Sequence, residues 1–212
     1  MLYEVITYDI KYGATPEFER RFAQSYERRR QHSELGAFWH SEIGPLNQII
    51  VVWPYADLGE RKRVLASAEA DSHWPPAINE FVLAMHSDIV TPAPFTPMLK
   101  PGNFGPFFEM RTYTLPPGEI PLAIENWEKA MPERNQLKPV YAVWYTDIGA
   151  LNKWVHIWSY ESLNERMEVR NKARGDGNWP PATLAKKEGR KPYTILAQDN
   201  KILMPSAFSP VQ

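Results

Sequence analysis

The chain is one unit written twice, and that constrains its fold more than any other feature. Residues 36–55, GAFWHSEIGPLNQIIVVWPY, share their plan with residues 141–160, YAVWYTDIGALNKWVHIWSY. Trp39 answers Trp144, Ile43-Gly44 answers Ile148-Gly149, Leu46-Asn47 answers Leu151-Asn152, and Trp53 and Tyr55 answer Trp158 and Tyr160. The same offset of 105 carries Glu4, Thr7, Tyr8 and Gly13 onto Glu109, Thr112, Tyr113 and Gly118, and Trp74-Pro75-Pro76-Ala77 onto Trp179-Pro180-Pro181-Ala182. Eight extra residues, drawn from a stretch that includes the charged 186–191, precede the match between Pro92-Ala93-Pro94-Phe95-Thr96-Pro97 and Pro205-Ser206-Ala207-Phe208-Ser209-Pro210. Whatever one half folds into, the other must fold into as well.

Halves of about 100 residues are the usual size of a small domain. The modules are expected at 1–99 and 106–212, joined by a stretch around 96–105 rich in Pro and Gly. There is no cysteine, which excludes disulfides, thiolate catalysis and Cys-ligated metal sites. Net charge is −1 with no long basic block, so no nucleic-acid partner is expected; Arg28-Arg29-Arg30 reads as a solvated helix end. The opening MLYEVITYDI lacks a signal-peptide pattern and no run approaches about 18 apolar residues, so no membrane partner and a cytoplasmic location are expected.

Local pattern supplies the elements. Leu2–Ile10 alternates as a strand and Tyr12-Gly13 turns it. Thr15 before Pro16 reads as an N-cap, and Phe18, Phe22 and Tyr26 give the following helix one apolar stripe. Residues 36–55 and 141–160 are β-hairpins around Gly-containing turns. Asp57-Leu58-Gly59-Glu60 and Ser162-Leu163-Asn164-Glu165 read as capping boxes. Asp71, His73 and Asp176 read as loop caps, residues 77–86 as a short helix and 88–91 as a last strand. Each half thus runs strand, helix, strand, strand, helix, short helix, strand, the order of a four-stranded antiparallel sheet with helices on one face. The other face needs a cover, and the second copy supplies it. The expected fold class is α+β: two tandem ferredoxin-like modules forming a barrel-like pseudo-dimer, helices outside, with an enclosed space between the sheets.

Phe108-Glu109-Met110-Arg111-Thr112-Tyr113-Thr114-Leu115-Pro116-Pro117-Gly118 resembles the opening strand of NIPSNAP-family modules. Residues 148–152 with 155–160 are similar to that family's central hairpin, and 205–210 to its closing motif. The resemblance spans nearly the whole chain as two modules and implies a dimeric α/β-barrel superfold. It implies no settled chemistry, because the superfold hosts monooxygenases, isomerases, dehydratases and plain binders. Ile6 and Val51 of the first module stand where the second has Arg111 and His156.

Alternation sorts the strand side chains into two faces. Ile50, Val52, Val155 and Ile157 are aliphatic in both copies and are expected on the helix side. Ile49, Val51 and Trp53, with Trp154, His156 and Trp158, are expected to face the enclosed space, together with Glu4, Tyr8, Glu109, Arg111 and Tyr113. The second strand has two solutions. A four-residue turn at 44–47 puts His40, Glu42, Tyr145 and Asp147 in the cavity and Trp39 and Trp144 under the helices; a turn one residue different reverses them.

From this placement His156, Arg111 and Glu109 are the expected catalytic end, His156 taking a proton and Arg111 holding a carboxylate, enolate or oxyanion. Trp154, Trp158, Tyr113, Tyr145, Trp53, Tyr8, Glu4 and His40 are the expected ligand-binding set. A Glu109–Arg111 pair can equally seal a sheet interface, and His156 can be a hydrogen-bonded structural residue. His40 and Glu42 are spaced like strand metal ligands but lack a third, so no metal and no cofactor are expected. One polar site per chain follows, on the second module's sheet. The expected partner is a small apolar or aromatic ligand held between the sheets, bound or transformed there, and a homo-oligomer is compatible with the sequence. The competing reading is a non-catalytic binder or structural adaptor whose barrel is filled by its own tryptophans.

Overall fold

The computed structural model describes residues 1–212 apart from Ser72, His73 and Asp176, and every structural statement below concerns the described residues. Two of the expected loop caps, His73 and Asp176, lie outside them. The first module comprises β1 (Leu2–Ile10), α1 (Thr15–Arg29), β2 (Ala37–Ile43), β3 (Gln48–Tyr55), α2 (Leu58–Glu69) and β4 (Val82–Pro92). The second comprises β5 (Phe107–Thr114), α3 (Ile120–Leu137), β6 (Ala142–Ile148), β7 (Lys153–Tyr160), α4 (Leu163–Gly175), α5 (Pro181–Lys187) and β8 (Ala197–Pro205).

The capping boxes form as the sequence implies: Glu60 N donates to Asp57 Oδ1 at 2.8 Å and Glu165 N to Ser162 Oγ at 3.0 Å. Thr15, by contrast, is the first residue of α1 and not its cap; Ala14 precedes it and has no side-chain oxygen to offer. The hairpin tips need left-handed backbone at Gly44 and Asn47, and again at Gly149 and Asn152. This is why Gly-x-x-Asn recurs there. The short helix expected over 77–86 is absent. From Val82 on, the chain is strand β4, because β1 needs a partner along its whole length and β4 pairs with it from Ile10↔Val82 to Tyr3↔Val90. That ladder overrides the local helical pattern.

All eight strands close into one antiparallel barrel in the order β1-β3-β2-β8-β5-β7-β6-β4. The modules are joined by strand pairing at two seams, Trp39↔Pro205 to Ser41↔Leu203 in one and Val90↔Thr146 to Pro92↔Trp144 in the other. Each module therefore hides the open sheet edges of its copy as well as covering its face. Among the described residues no helix is long and apolar enough to cross a membrane.

The barrel interior is packed across its middle by Tyr3, Trp39, Ile50, Val52, Phe108, Trp144, Ile157 and Leu203. Trp39 lies opposite Ile50 and Trp144 opposite Val155, two residues out of register from a four-residue turn but of the same parity, so each tryptophan shares a face with the aliphatic residues of the next strand. The assignment of faces, however, is the reverse of the expectation. Ile50, Val52, Val155 and Ile157 point into the barrel with both tryptophans. Ile49, Val51 and Trp53 pack beneath α1 with Phe18, Phe22 and Tyr26, and Trp154 and Trp158 beneath α3 with Trp127 and Met131. An eight-stranded barrel has a narrow interior, so the strand faces without buried charge take the lumen and those carrying Glu4, Glu109 and His156 turn to the helices. Glu109, Arg111 and His156 then meet their partners in the layer between sheet and helices.

Candidate functional site

That layer holds a cavity of about 180 Å³ in the second module, lined by Arg111, Tyr113, His156 and Trp158 of the sheet and by Trp127, Arg134, Arg170, Arg174, Trp179 and Tyr193 above it. Strand pairing assembles its floor. Arg111 lies opposite His156, Glu109 opposite Trp158 and Tyr113 opposite Trp154, and residues directly opposite in a ladder share a face. Helix α4 supplies Arg166, Arg170 and Arg174, spaced by one turn: Arg166 and Arg170 reach Glu109 on the sheet, and the exposed Arg174 borders the cavity.

Glu109 is fully buried and its Oε1 accepts from Arg166 Nη2 at 2.5 Å, Arg111 Nη1 at 3.2 Å and Arg170 Nη1 at 3.5 Å. Burial works to raise its pKa, but the Arg166 hydrogen bond and the charges of Arg170, Arg166 and Arg111 outweigh it and hold the carboxyl below its usual range. Arg134 lies 3.9 Å over the Trp158 ring and donates to the Lys138 carbonyl at 3.0 Å. Burial lowers the pKa of Arg134 and of Arg170, which marks both as desolvated cations. Arg111 completes its contacts with Tyr113 OH at 3.2 Å and Gln198 Oε1 at 3.1 Å. Three guanidinium groups thus contact one carboxylate, and a fourth, that of Arg134, lies over Trp158 nearby.

His156 is buried, and Trp158 Nε1–H donates to its Nδ1 at 2.7 Å. An accepting Nδ1 carries the lone pair, so the proton of the neutral ring sits on Nε2. Burial, then the charges of Arg111, Arg170 and Arg134, push the histidine well below its ordinary pKa. Its Nε2–H is buried without a partner among the described residues. Tyr113 and Trp127 hold the ring edge-on and tilted, at centroid distances of 4.9 and 4.7 Å. This arrangement makes His156 a neutral hydrogen-bond donor and removes the proton-accepting role expected of it.

The fold brings together Glu109, Arg111, Tyr113, His156 and Trp158. It places Trp154 beside them, packed against Trp127 and Phe95, and Tyr145 on the helix side of β6. The remaining expected residues belong elsewhere, and none of the set faces the space between the sheets. Glu4 binds Arg61 at 2.5 Å and Ser87 Oγ at 2.7 Å. Tyr8 packs on Phe18, and Trp53 lies under Arg29 at 4.3 Å. His40 shares a 2.8 Å hydrogen bond with Glu19, which also accepts from Ser206. That bond gives His40 its partner in this structure.

The first module keeps the frame of the site without its charge. Glu4, Arg61, Arg29, Trp53 and Trp74 repeat Glu109, Arg166, Arg134, Trp158 and Trp179, whereas Ile6, Val51, Leu65 and Glu69 replace Arg111, His156, Arg170 and Arg174. The α4 arginines escaped the sequence reading because basic residues on a helix usually mark a solvated face. Comparing their positions with Arg61, Leu65 and Glu69 would have exposed them.

A family model described as NIPSNAP matches residues 3–97 and 108–210. Protein NipSnap homolog 3A of Homo sapiens is 27% identical over 219 aligned positions, covering 100% of this chain and 86% of that one. Protein NipSnap of Drosophila melanogaster is 26% identical over 189 positions, covering 84% of this chain and 65% of that one. Among solved structures, an anthrone oxidase-like protein superposes with a TM-score of 0.61 over 99% of this chain and 93% of that chain at 10% identity, a likeness of fold alone.

Proposed function

The chain belongs to the NIPSNAP family, and from that premise we propose that its second module binds a small aromatic or apolar molecule carrying an anionic group, in the pocket between β5, β7 and helices α3 and α4. The observation that carries this is the charge imbalance: Arg111, Arg166 and Arg170 share the single carboxylate of Glu109, and the desolvated Arg134 stands over Trp158 beside them. Uncompensated buried charge is costly, and a ligand carboxylate or phosphate offsets it. Arg111 and Arg170 offer planar donors suited to such a group, and the His156 Nε2–H adds a neutral one. Trp127, Trp158, Trp179 and Tyr193 offer aromatic surface for the rest of the ligand.

The same donors would stabilise negative charge developing on a bound enolate or oxyanion. His156 is not the base in such a step, since its only free position already holds the proton. The reading is tested by calorimetric titration with benzoate and phenyl phosphate against their neutral counterparts benzamide and phenol. The acids are expected to bind once per chain, and the neutral molecules at least tenfold more weakly at this site. Equal affinity for acid and amide at the arginines would defeat the proposal.

A further inference from the structure

The barrel itself holds a second cavity, of different chemistry. It opens at the end where both hairpins turn, has a volume of about 280 Å³, and is lined by Val5, Val90, Met110, Trp144 and Val155 at depth. Thr7, Thr112 and Thr146 stand in its wall, and Asp88, Lys153, Asp199 and Lys201 near its mouth. These side chains share the alternation of the packed lumen residues, so the cavity is the unfilled end of the barrel and not part of the arginine pocket.

We propose that this hairpin end of the lumen is a second binding site, for a small neutral aromatic or branched apolar molecule bearing one hydrogen-bond acceptor. Size comes first: a cavity of about 150 Å³ takes up benzene, so this one has room for a fused two-ring molecule. Charge comes second. Two aspartates and two lysines line the mouth and balance, whereas the arginine pocket carries a surplus of positive charge; a neutral ligand fits the one and an anion the other. The acceptor is asked for by Trp144, which lines the cavity and whose buried indole N–H has no partner among the described residues.

The same end of the barrel also carries exposed aliphatic side chains outside the cavity lining. The strand registers bring the hairpin tips together with the starts of β4 and β8, through Ile10 N to Asn47 O and Leu196 N to Thr114 O, both of these bonds 2.9 Å or shorter. Ile43, Leu46, Leu83, Ile148, Leu151 and Leu196 are all exposed there, three pairs related by the internal repeat.

The test is calorimetric titration of the full chain with 2-naphthol. One molecule is expected to bind per chain, and to bind equally well when Arg111→Ile and Arg170→Leu are combined. Val155→Phe, which fills the cavity from β7, should weaken binding at least tenfold; Thr7→Phe, nearer the mouth, should do the same and serves where Val155→Phe fails to fold, as judged by thermal unfolding. Naphthalene, which offers Trp144 no acceptor atom, should bind more weakly than 2-naphthol. Loss of 2-naphthol binding in the arginine double variant with retention in Val155→Phe or Thr7→Phe would overturn the proposal, as would no binding up to the solubility limit. Either result leaves the anion pocket to its own titration with benzoate.

Discussion

Replacing Glu109 by Gln keeps the shape and the acceptor oxygen of the side chain and removes only its charge. In the second module that charge faces Arg111, Arg166 and Arg170 from a fully buried position. Removing one member of a buried ionic cluster costs about 3–5 kcal/mol, because the remaining charges stay desolvated. For a chain of this size each kcal/mol shifts the thermal midpoint by about 2–4 °C, so a fall of about 6–20 °C is expected. Glu4→Gln is the internal control: its ion-pair partner among the described residues, Arg61, keeps 30% side-chain exposure, and Ser87 Oγ remains to bond the amide. That change should cost about 1–3 kcal/mol, the range for a hydrogen bond to a charged group. Calorimetric thermal unfolding of both variants at neutral pH measures the difference. Phenyl phosphate should then raise the midpoint of Glu109→Gln more than that of the parent, since the variant has more positive charge to neutralise. The pH dependence has a definite sign. A carboxyl whose folded pKa lies below its unfolded value stabilises fully above the unfolded pKa, and loses this contribution as pH falls through the folded one. Parent and variant should therefore converge in acid below the usual glutamate range. Equal destabilisation by Glu4→Gln and Glu109→Gln, or a cost below about 1 kcal/mol for the latter, would refute the reasoning from clustered buried charge.

Arg111→Ile and Arg170→Leu install the residues of the first module and should each weaken benzoate binding at least tenfold in calorimetric titration, and should lower the thermal midpoint less than Glu109→Gln does, because each leaves Glu109 two other arginine partners. His156 should stay neutral with its proton on Nε2 across the ordinary histidine range, read from ring nitrogen shifts by NMR. Since only the unfolded chain then takes up the proton, its contribution makes stability fall as pH drops below that range. Trp144→Ala and Trp39→Ala, each emptying a buried position in the barrel, should cost about 3–5 kcal/mol apiece by denaturant unfolding.

The duplication, the order of most elements and the closure of two modules on one another were legible because each rests on local pattern or on the need to hide a sheet face. The sense of the faces was not. Alternation shows that Ile50 and Val52 share a side and that His156 and Trp158 share the other, but it does not show which side is dry. In an open sheet under helices the aliphatic face would meet the helices. In a closed barrel the lumen is the drier and narrower space, so Trp39, Trp144 and Ile157 turn inward and Glu109, Arg111 and His156 turn out beneath α4. Helix α4 was hidden for a related reason: its arginines look solvated until the sheet brings Glu109 to meet them. Strand β4 was misread at its start because a pairing partner, β1, decides what Val82 to His86 become, and that partner lies far away in sequence.

A bound anion can be located outright by soaking crystals with 4-iodobenzoate and mapping the anomalous signal of iodine. One iodine per chain is expected among Trp127, Trp158 and Trp179, with the carboxylate on Arg111 and Arg170 and within reach of His156 Nε2, and none above Ile6 and Val51 of the first module. Equal occupancy of both modules, or iodine found only in the barrel lumen with the arginine pocket empty, would contradict it.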